Sequence, residues 1–271
     1  MTTCPSCDRG ARLLMRLSHT SVWECSGADC GLQFASPQLT NEELARAYTT
    51  FYYPTTDNGH SIHYGSTPEA ILRQLFLQLL DRIGSLDGLR MLDYGCGRGA
   101  LSRIGQQFGL ITAGIEQDPI ARGIAAAIPK MNAYANLEEL RSAEPTRQFD
   151  LVILRNVIEH LRRPWSDLQQ LRGLLSPGGY LGAFTMNVRC LRARLERGEW
   201  ANYEKPTHLY YFDRKSLARV FHTAGCAAVS EWKLKFRYPH HGMLRRWFYE
   251  IAHLVDLSDG LFYVSRNDRA P

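Results

Sequence analysis

Residues 90–99 read Arg-Met-Leu-Asp-Tyr-Gly-Cys-Gly-Arg-Gly, a short apolar strand that runs into a glycine-rich turn. The sequence predicts a helix directly after the turn, from about Ala100 to Phe108. Three glycines at alternate positions let the backbone approach a ligand that side chains would block. The helix N-terminus would point its positive end at the same place. The stretch therefore predicts a cofactor cradle.

Two cofactor classes fit this turn. Residues 95–100 match the G-x-G-x-x-A form of a dinucleotide-binding turn, and Glu116 follows where a ribose-binding acid belongs. Asp93 favours a second class, a cofactor that carries a positive charge. A carboxylate in the strand would repel a pyrophosphate and attract a cation. The D-x-G-x-G-x-G pattern from Asp93 to Gly99 resembles motif I of the class I methyltransferases that depend on S-adenosylmethionine (SAM), a sulfonium.

A second motif supports this resemblance. The run F-D-L-V-I from Phe149 to Ile153, followed by V-I-E-H from Val157 to His160, resembles motif IV of the small-molecule branch of the same family. Strands alternate with helices from Arg90 to Thr185, which predicts a doubly wound α/β sheet. The resemblance implies a seven-stranded Rossmann-like methyltransferase sheet that ends with a strand over residues 261–265.

The SAM site that the resemblance implies lies at the carboxyl ends of the first, second and fourth strands. Glu116 would hold the ribose hydroxyls, and Gln117 would border the adenine. The expected cofactor-binding residues are Asp93, Gly95, Cys96, Gly97, Gly99, Glu116, Gln117 and Asn156.

Transfer to an oxygen or nitrogen acceptor also requires removal of a proton. Two histidines are candidate bases: His160 in the second motif, and His208 in the run Pro206-Thr207-His208-Leu209. Glu159 could serve the same site, and the alternative for Glu159 and His160 is that they order the following loop. We expect four aromatic residues to contact the acceptor, namely Tyr64, Trp200, Tyr203 and Tyr211.

Residues 186–216 are irregular, and four arginines cluster within them, at positions 189, 192, 194 and 197. In the resembling family, an insertion at this place helps to build the acceptor pocket. The arginines could hold a phosphate or a carboxylate, or they could form a solvated helix face.

Two cysteine pairs stand near the N-terminus, Cys4 with Cys7 and Cys25 with Cys30. Such pairs on short turns resemble the knuckles of a zinc ribbon, and four thiolates satisfy a structural Zn²⁺ ion. Four protein ligands leave no open position, so no catalytic role is expected for the metal. The second pair has four intervening residues where two are usual, and unpaired structural cysteines are the alternative.

The predicted organisation has three parts: a zinc-ribbon module over residues 1–36, a linker and aromatic lid over 37–66, and a methyltransferase domain over 67–271. A helix should begin at Thr67-Pro68 and end at Gly84. Another should run from Pro164 to Leu175, broken by Ser-Pro-Gly-Gly before a strand over 180–185. An amphipathic helix over 243–257 would pack on the core or in a homodimer.

The composition of the chain limits the classes of protein to which it can belong. The chain has 271 residues, of which 45% are hydrophobic and 22% charged, and a net charge of +5. No apolar run approaches the length of a membrane span, and no signal peptide stands at the N-terminus, so we expect a cytoplasmic protein. The charge permits an anionic substrate without demanding a nucleic acid.

The sequence therefore predicts a SAM-dependent methyltransferase with a structural zinc ribbon, acting on a small polar acceptor such as a sugar or a natural-product intermediate. Two alternatives stay open. One is a ribosomal or transfer RNA methyltransferase with a zinc finger, against which the small charge excess argues. The other is a non-catalytic module that uses the fold to bind a partner.

Overall fold

The computed structural model describes residues 2–51, 67–236 and 258–268, with side chains of 49–51 excepted. Tyr64, residues 52–66 of the predicted linker and lid, and the predicted helix over 243–257 lie outside this part. Its strands and helices, numbered in chain order, are β1 (Ala11–Arg16), β2 (Ser21–Cys25), β3 (Gln33–Ser36), α1 (Asn41–Phe51), α2 (Glu69–Ile83), β4 (Arg90–Tyr94), α3 (Ala100–Gln106), β5 (Ile111–Ile115), α4 (Pro119–Ala126), β6 (Asn132–Tyr134), α5 (Leu137–Ala143), β7 (Phe149–Arg155), α6 (Pro164–Arg172), β8 (Leu175–Met186), α7 (Leu191–Glu196), β9 (Tyr210–Tyr211), α8 (Arg214–Thr223), β10 (Ala228–Glu231) and β11 (Gly260–Arg266).

The larger sheet has seven strands in the order β10-β11-β8-β7-β4-β5-β6. Its five strands from β4 to β8 are parallel to one another. Strand β11 pairs antiparallel with β8, and β10 pairs antiparallel with β11. The predicted Rossmann-like sheet of seven strands is confirmed. Tyr94 lies opposite Ile115 of β5 and Leu154 of β7, so the carboxyl ends of these three strands meet at one edge. That edge is where such sheets bind ligands.

Helices cover both faces of this sheet, because its central strands are apolar on both sides. On one face, Phe76 of α2 and Ile104 of α3 belong to a buried cluster with Met91 of β4. On the other face, Leu168 of α6 and Val220 of α8 belong to a second cluster with central strand residues. The result is the three-layer arrangement expected for alternating strands and helices.

The smaller sheet is antiparallel, with four strands in the order β1-β2-β3-β9. Three of its strands come from the cysteine-rich N-terminal module, and the fourth, β9, comes from the segment after β8. Phe34 of β3 pairs with Tyr210 of β9. Cys4, Phe34 and Tyr210 belong to the same buried cluster as the central strands of the large sheet. The N-terminal module is thus joined to the large sheet by a strand pair and by a continuous core.

Capping residues, proline and glycine in the sequence correctly predicted both ends of α2 and the N-cap of α4. Helix α2 begins after Pro68 and ends at Gly84, whose φ of 97° suits a residue without a side chain. The Asp118 side chain caps α4 by accepting from the amide of Ala121, as predicted. Across the described ranges 2–51, 67–236 and 258–268, every helix is too short or too polar to span a membrane.

One prediction about the chain path was wrong. Helix α6 ends at Arg172, and residues 175–186 form a single strand rather than a break followed by a strand over 180–185. The proline and glycines are tolerated because they form an irregularity in the pairing with β7, between Phe149 and Leu151. The amide of Gly178 donates to the Asn267 carbonyl, and the amide of Asn267 donates to the Gly179 carbonyl, which keeps this part of β8 in the sheet.

Candidate functional site

The glycine turn after β4 needs its glycines for two separate reasons. Gly95, Gly97 and Gly99 all have positive φ values, of 77°, 54° and 78°, which side chains rarely permit. In addition, a Cβ atom on Gly95 would lie 2.4 Å from Cγ2 of Val157. The turn therefore lies directly against the segment that follows β7, and a larger residue would push the two apart.

Glu116 is bound to the glycine turn through its carboxylate. One oxygen, Oε2, accepts a hydrogen bond from the amide of Gly97 at 2.9 Å, and Oε1 accepts from the amide of Asp118 at 2.9 Å. Each oxygen has a second lone pair, so the carboxylate can still accept from a diol. Gln117, the neighbouring residue, is exposed beside it. The acid is thus preorganised where the ribose-binding group was expected.

Asp93 is buried at the end of β4, with only 2% of its surface exposed. The Ser102 hydroxyl of α3 donates to its Oδ2 at 3.1 Å. Burial raises the pKa of Asp93 to about 6, because the charged form loses its hydration, while the Ser102 hydrogen bond acts in the opposite direction. A cation near this carboxylate would favour its ionised form, which fits a sulfonium or ammonium better than a phosphate.

The remaining expected cofactor residues lie around the same turn. Cys96 is buried, and its amide, like that of Gly95, donates to the Ile115 carbonyl at the end of β5. Burial raises the pKa of the Cys96 thiol. Asn156, the residue after β7, is exposed and has a positive φ of 54°. Its amide donates to the Phe184 carbonyl of β8 at 2.8 Å, which holds it at the carboxyl edge of the sheet.

The two candidate histidines meet, although 48 positions separate them in the chain. The His160 and His208 rings lie 4.7 Å apart between centroids, edge to face. Ligand atoms of Glu159, His160 and His208 all lie within 4.8 Å of one another. Glu159 and His208 are buried, and the His160 side chain is 10% exposed. The structure thus brings three titratable groups together in a setting with little water.

Hydrogen bonds fix the orientation of this cluster. Nδ1 of His160 donates to the Thr207 carbonyl at 2.9 Å, because a carbonyl can only accept, and this makes Nε2 the basic nitrogen of the neutral ring. Nε2 lies 3.9 Å from Oε1 of Glu159. The Thr185 hydroxyl at the end of β8 donates to Oε2 of Glu159 at 2.8 Å. Among the residues that the structure describes, none forms a hydrogen bond with the buried atoms Oε1 of Glu159 and Nδ1 of His208.

Burial shifts the pKa of Glu159 upward and the pKa values of the two histidines downward. It raises the pKa of Glu159 to about 7 and lowers that of His160 to about 4, since each charged form loses hydration. The pKa of His208 is lowered by burial and then by the neighbouring His160. Both rings are therefore neutral near pH 7, and Glu159 titrates close to it. A carboxyl group with such a pKa is a strong candidate for proton transfer.

Three partners of this cluster could not have been found from the sequence. Thr185, Thr207 and the backbone of Leu209 reach Glu159 and His160 from 26 to 50 positions away. No local pattern marks them, since their role follows from the return of the chain after β8. The amide of Leu209 donates to the Glu159 carbonyl, and its carbonyl accepts from the amide of Ala35 in β3. The N-terminal module is thereby connected to the histidine cluster.

The expected acceptor residues lie mostly in a buried core. Trp200 and Tyr203 are 3% and 4% exposed and pack with Val22 of the N-terminal module. The Tyr203 hydroxyl donates to Gln33 at 2.8 Å. These positions favour a packing role for Trp200 and Tyr203 over the expected contact with an acceptor. Tyr211 is buried too, with its ring centroid 6.4 Å from that of His208.

The four N-terminal cysteines converge on one point. The sulfur atoms of Cys4 and Cys30 lie 3.8 Å apart, and those of Cys7 and Cys25 lie 3.4 Å apart. All four sulfurs lie within 4.8 Å of one another. Ligands at about 2.3 Å from a tetrahedral Zn²⁺ ion are separated by roughly 3.8 Å, so the donor set fits zinc. Cys190 and Cys226 lie apart from this group as buried thiols.

Comparison with known proteins agrees with a methyltransferase domain. A family model described as a methyltransferase domain matches residues 64–231, which is more than half of the chain. The ubiquinone biosynthesis O-methyltransferase of Leptothrix cholodnii is 28% identical over 163 residues, covering 53% of this chain and 69% of that protein. The enzyme of the same description from Rhodopseudomonas palustris is 35% identical over 113 residues. That match covers 39% of this chain and 43% of the Rhodopseudomonas protein.

Solved structures resemble the fold over a longer part of the chain. The 1,6-didemethyltoxoflavin-N1-methyltransferase of Burkholderia thailandensis superimposes with a TM-score of 0.57 at 13% identity, covering 96% of this chain and all of that one. The plantazolicin methyltransferase BamL superimposes with a TM-score of 0.56 at 14% identity, covering 84% and 97%. At such identities these likenesses concern the fold.

Proposed function

The chain belongs to the SAM-dependent methyltransferase family, and we propose that it transfers the methyl group of SAM to an oxygen or nitrogen of a small polar acceptor. One observation carries the proposal. The segment after β7 packs on the glycine turn through Val157 and, two residues later, begins the cluster of Glu159, His160 and His208. Residues suited to hold the donor and residues suited to take a proton therefore occupy neighbouring positions.

The donor would be held by the turn and by the acid beyond it. Glu116 offers its carboxylate to the ribose hydroxyls, and the backbone of Gly95 to Gly99 leaves room for the amino-acid part. Asp93, buried behind the turn, favours a positively charged ligand. When bound, SAM supplies an activated methyl group on a sulfonium, so the protein has mainly to position the acceptor in line.

The acceptor side requires a group that takes a proton. Nε2 of the neutral His160 ring is suited to this, because Nδ1 is committed to the Thr207 carbonyl. The Glu159 carboxylate, 3.9 Å from Nε2, would balance the charge of the imidazolium formed. Thr185 holds that carboxylate through its other oxygen. The cluster would thus remove the acceptor proton as the methyl group transfers.

We further propose that Cys4, Cys7, Cys25 and Cys30 hold a structural zinc ion. The sulfur separations support this set, and four protein ligands leave no position for a substrate. The metal would stabilise a module whose strands are short. Its contribution to the reaction would be indirect, through the strand pair between β3 and β9.

The nature of the acceptor is supported by similarity. The matched relatives are O-methyltransferases of ubiquinone biosynthesis, and solved enzymes with this fold act on small natural products such as 1,6-didemethyltoxoflavin. The net charge of +5 is modest for a protein that tracks nucleic-acid phosphates. A hydroxylated or amino-bearing small molecule is the acceptor class that these observations favour.

The test is transfer of label from methyl-labelled SAM to a panel of small hydroxylated and amino-bearing metabolites, with structured RNA in parallel. His160→Gln should lower kcat by roughly 100-fold or more, while the Kd for SAM stays unchanged. His222→Gln is the matched control, since exposed His222 also contacts a carbonyl through Nδ1, that of Cys226. It should leave the rate unchanged.

Three results would contradict the proposal. Label that appears in RNA and in none of the small molecules would make this a nucleic-acid enzyme. A His160→Gln protein with the wild-type rate, on an acceptor that must lose a proton, would remove His160 from the reaction. SAM binding without transfer to any acceptor would favour a non-catalytic binding module.

A further inference from the structure

A wide cleft separates the N-terminal module from the segment after β8. Its volume is about 730 Å³, within the range of small-molecule sites. One wall comes from β1, from β2 and from the loop between β2 and β3. The other wall comes from residues 187–194 and from the first residues of α8. The cleft contains none of the residues assigned above to SAM or to proton transfer.

The walls of this cleft carry an excess of positive charge. Five cationic side chains and two carboxylates line it, which leaves three positive charges in excess. Glu231 lies outside the lining and pairs with Arg214 at 2.8 Å, and counting it still leaves an excess of two. Concave surfaces of one charge sign concentrate the field inside them, so the cleft attracts anions. The cationic residues are Arg12, Arg189, Arg194, Arg214 and Lys215.

Both carboxylates of the lining are already engaged. Glu24 forms ion pairs with Arg12 and with Arg189, the latter at 2.7 Å. Two guanidinium groups thus share one carboxylate, and its pKa is held below its usual value. Asp213 caps α8 by accepting from the amide of Ser216 at 2.8 Å, and its Oδ2 lies 3.7 Å from Nε of Arg189. Neither carboxylate can neutralise the cations that remain.

Two exposed cations of the lining, Arg194 and Lys215, lie outside those ion pairs. Arg194 of α7 is anchored through Nε, which donates to the Arg189 carbonyl at 2.9 Å. Lys215 stands in the first turn of α8. Both line the cleft and are exposed. An anion with two charges would match the charge that these two residues provide.

The cleft begins close to the proton-transfer cluster. Asn187 lines it and lies two residues after Thr185, the residue that donates to Glu159. Two residues of extended chain span roughly 7 Å, so this edge of the cleft lies near Thr185. A molecule of metabolite size could therefore place one group near His160 and another in the cleft.

We propose that this cleft binds a phosphate or diphosphate group of the molecule that the enzyme methylates. That the anion belongs to the acceptor rests on the proposed function, whereas anion binding itself does not. The arrangement accounts for two of the four arginines that follow β8, Arg189 and Arg194, as ligands. Arg192, which pairs with Glu196 on the same helix, is not part of the lining.

The experiment is calorimetric titration of the full chain with inorganic pyrophosphate, with orthophosphate as a second ligand, followed by displacement with phosphorylated metabolites. The double variant Arg194→Gln, Lys215→Gln should bind pyrophosphate roughly tenfold more weakly than the wild type. Arg192→Gln is the matched control and should bind as the wild type does. SAM titration of each protein should give one unchanged Kd, which shows that the variants are folded.

Several outcomes would overturn the inference. Equal affinity of the wild type and the double variant for pyrophosphate would place the anion elsewhere. Equal weakening by Arg192→Gln would mean general charge attraction without a site. Binding of structured RNA in the cleft, with no binding of pyrophosphate, would replace the small molecule by a nucleic acid. If pyrophosphate binds but no phosphorylated molecule accepts a methyl group, the anion site stands and only its link to the acceptor fails.

Discussion

Glu159 is a fully buried carboxyl group beside the rings of His160 and His208. The V-I-E-H motif marked it as a neighbour of the cofactor edge, but its partners lie far away in the chain. Thr185, His208 and the amide of Leu209 reach it only because β8 and the segment after it fold back on the loop. Glu116 is the opposite case. The glycine turn and the end of β5 are adjacent in the fold, so spacing alone indicated its place.

Replacement of Glu116 by Gln should weaken SAM binding roughly 10- to 100-fold. The substitution removes the charge and one of the two oxygens that accept from Gly97 and Asp118. Charge-assisted hydrogen bonds contribute about 1.5–3 kcal/mol each. Calorimetric titration with SAM measures the effect, and Glu138→Gln, on the exposed first turn of α5, is the control. An unchanged Kd for Glu116→Gln would exclude the ribose-binding role.

Glu159 should also make the stability of the protein depend on pH. Its pKa is raised by burial to about 7 in the folded state, against about 4.5 in the unfolded chain. The contribution to stability is therefore full below about pH 4.5 and is lost as the pH rises through about 7. His160 acts in the opposite direction, since its lowered pKa costs stability as the pH falls from about 6.5 towards 4. His208 and the nearby Lys205 and Arg155 share this environment.

A comparison of the wild type with Glu159→Gln isolates the carboxyl group, because the histidines are common to both. Thermal unfolding between pH 5 and pH 8.5 should show the wild type losing stability relative to the variant as the pH rises. Glutamine retains an acceptor for the Thr185 hydroxyl, so the variant should fold. A constant difference in Tm across this range would mean that Glu159 titrates outside it.

At the scale of elements, periodicity and capping predicted the helices and strands of the large sheet, while long-range pairing escaped them. The strand β9 has two residues, and no sequence pattern indicates that Tyr210 pairs with Phe34 of β3. The Ser-Pro-Gly-Gly run was misread for the same reason. Its hydrogen bonds come from Asn267, about 90 positions later, and they keep it within β8.

The pairing of β3 with β9 predicts that loss of the metal affects the segment that carries His208. Removal of zinc by a chelator, or Cys30→Ser, should speed amide exchange at Ala35 and Leu209 by roughly tenfold or more. These amides bond the Leu209 and Glu159 carbonyls, and so connect the module to the cluster. Hydrogen-exchange mass spectrometry measures the change, with the central strand β4 as an internal reference.

Cys226→Ser is the control for that experiment, since Cys226 is an equally buried thiol outside the cluster of four. It should keep about one zinc per chain by elemental analysis, as the wild type should. Purified protein with no bound metal, and with exchange unaffected by Cys30→Ser, would contradict the zinc ribbon. Faster exchange confined to the N-terminal module would contradict its connection to the cluster.

At the scale of the whole molecule, the sequence divided the chain into modules that the structure joins. Residues from the cysteine cluster, from β3 and from the central strands β4 and β7 belong to one buried cluster, which includes Cys4, Phe34, Leu92 and Val152. A second buried cluster joins Val22 of β2 to Tyr211 and Trp200. Contacts of this kind depend on packing between segments distant in sequence, which composition and periodicity do not encode. They suggest that the module and the large sheet are one cooperative unit.

The last prediction tests whether the N-terminal module and the large sheet unfold as one unit. Phe34 of β3 is 2% exposed, and replacing it by alanine should cost about 3–5 kcal/mol. If the module and the sheet unfold together, calorimetry should show a single transition, and SAM should stabilise it. Phe34→Ala should lower the Tm of this transition by roughly 6–15 °C. Leu13→Ala, in the same module but 40% exposed, is the control and should shift the Tm much less. Were the module independent, Phe34→Ala would instead produce two transitions, of which the SAM-stabilised one keeps the wild-type Tm. Because β9 begins two residues after His208, a single shifted transition would also mean that packing in the N-terminal module sets the stability of the segment that carries this histidine.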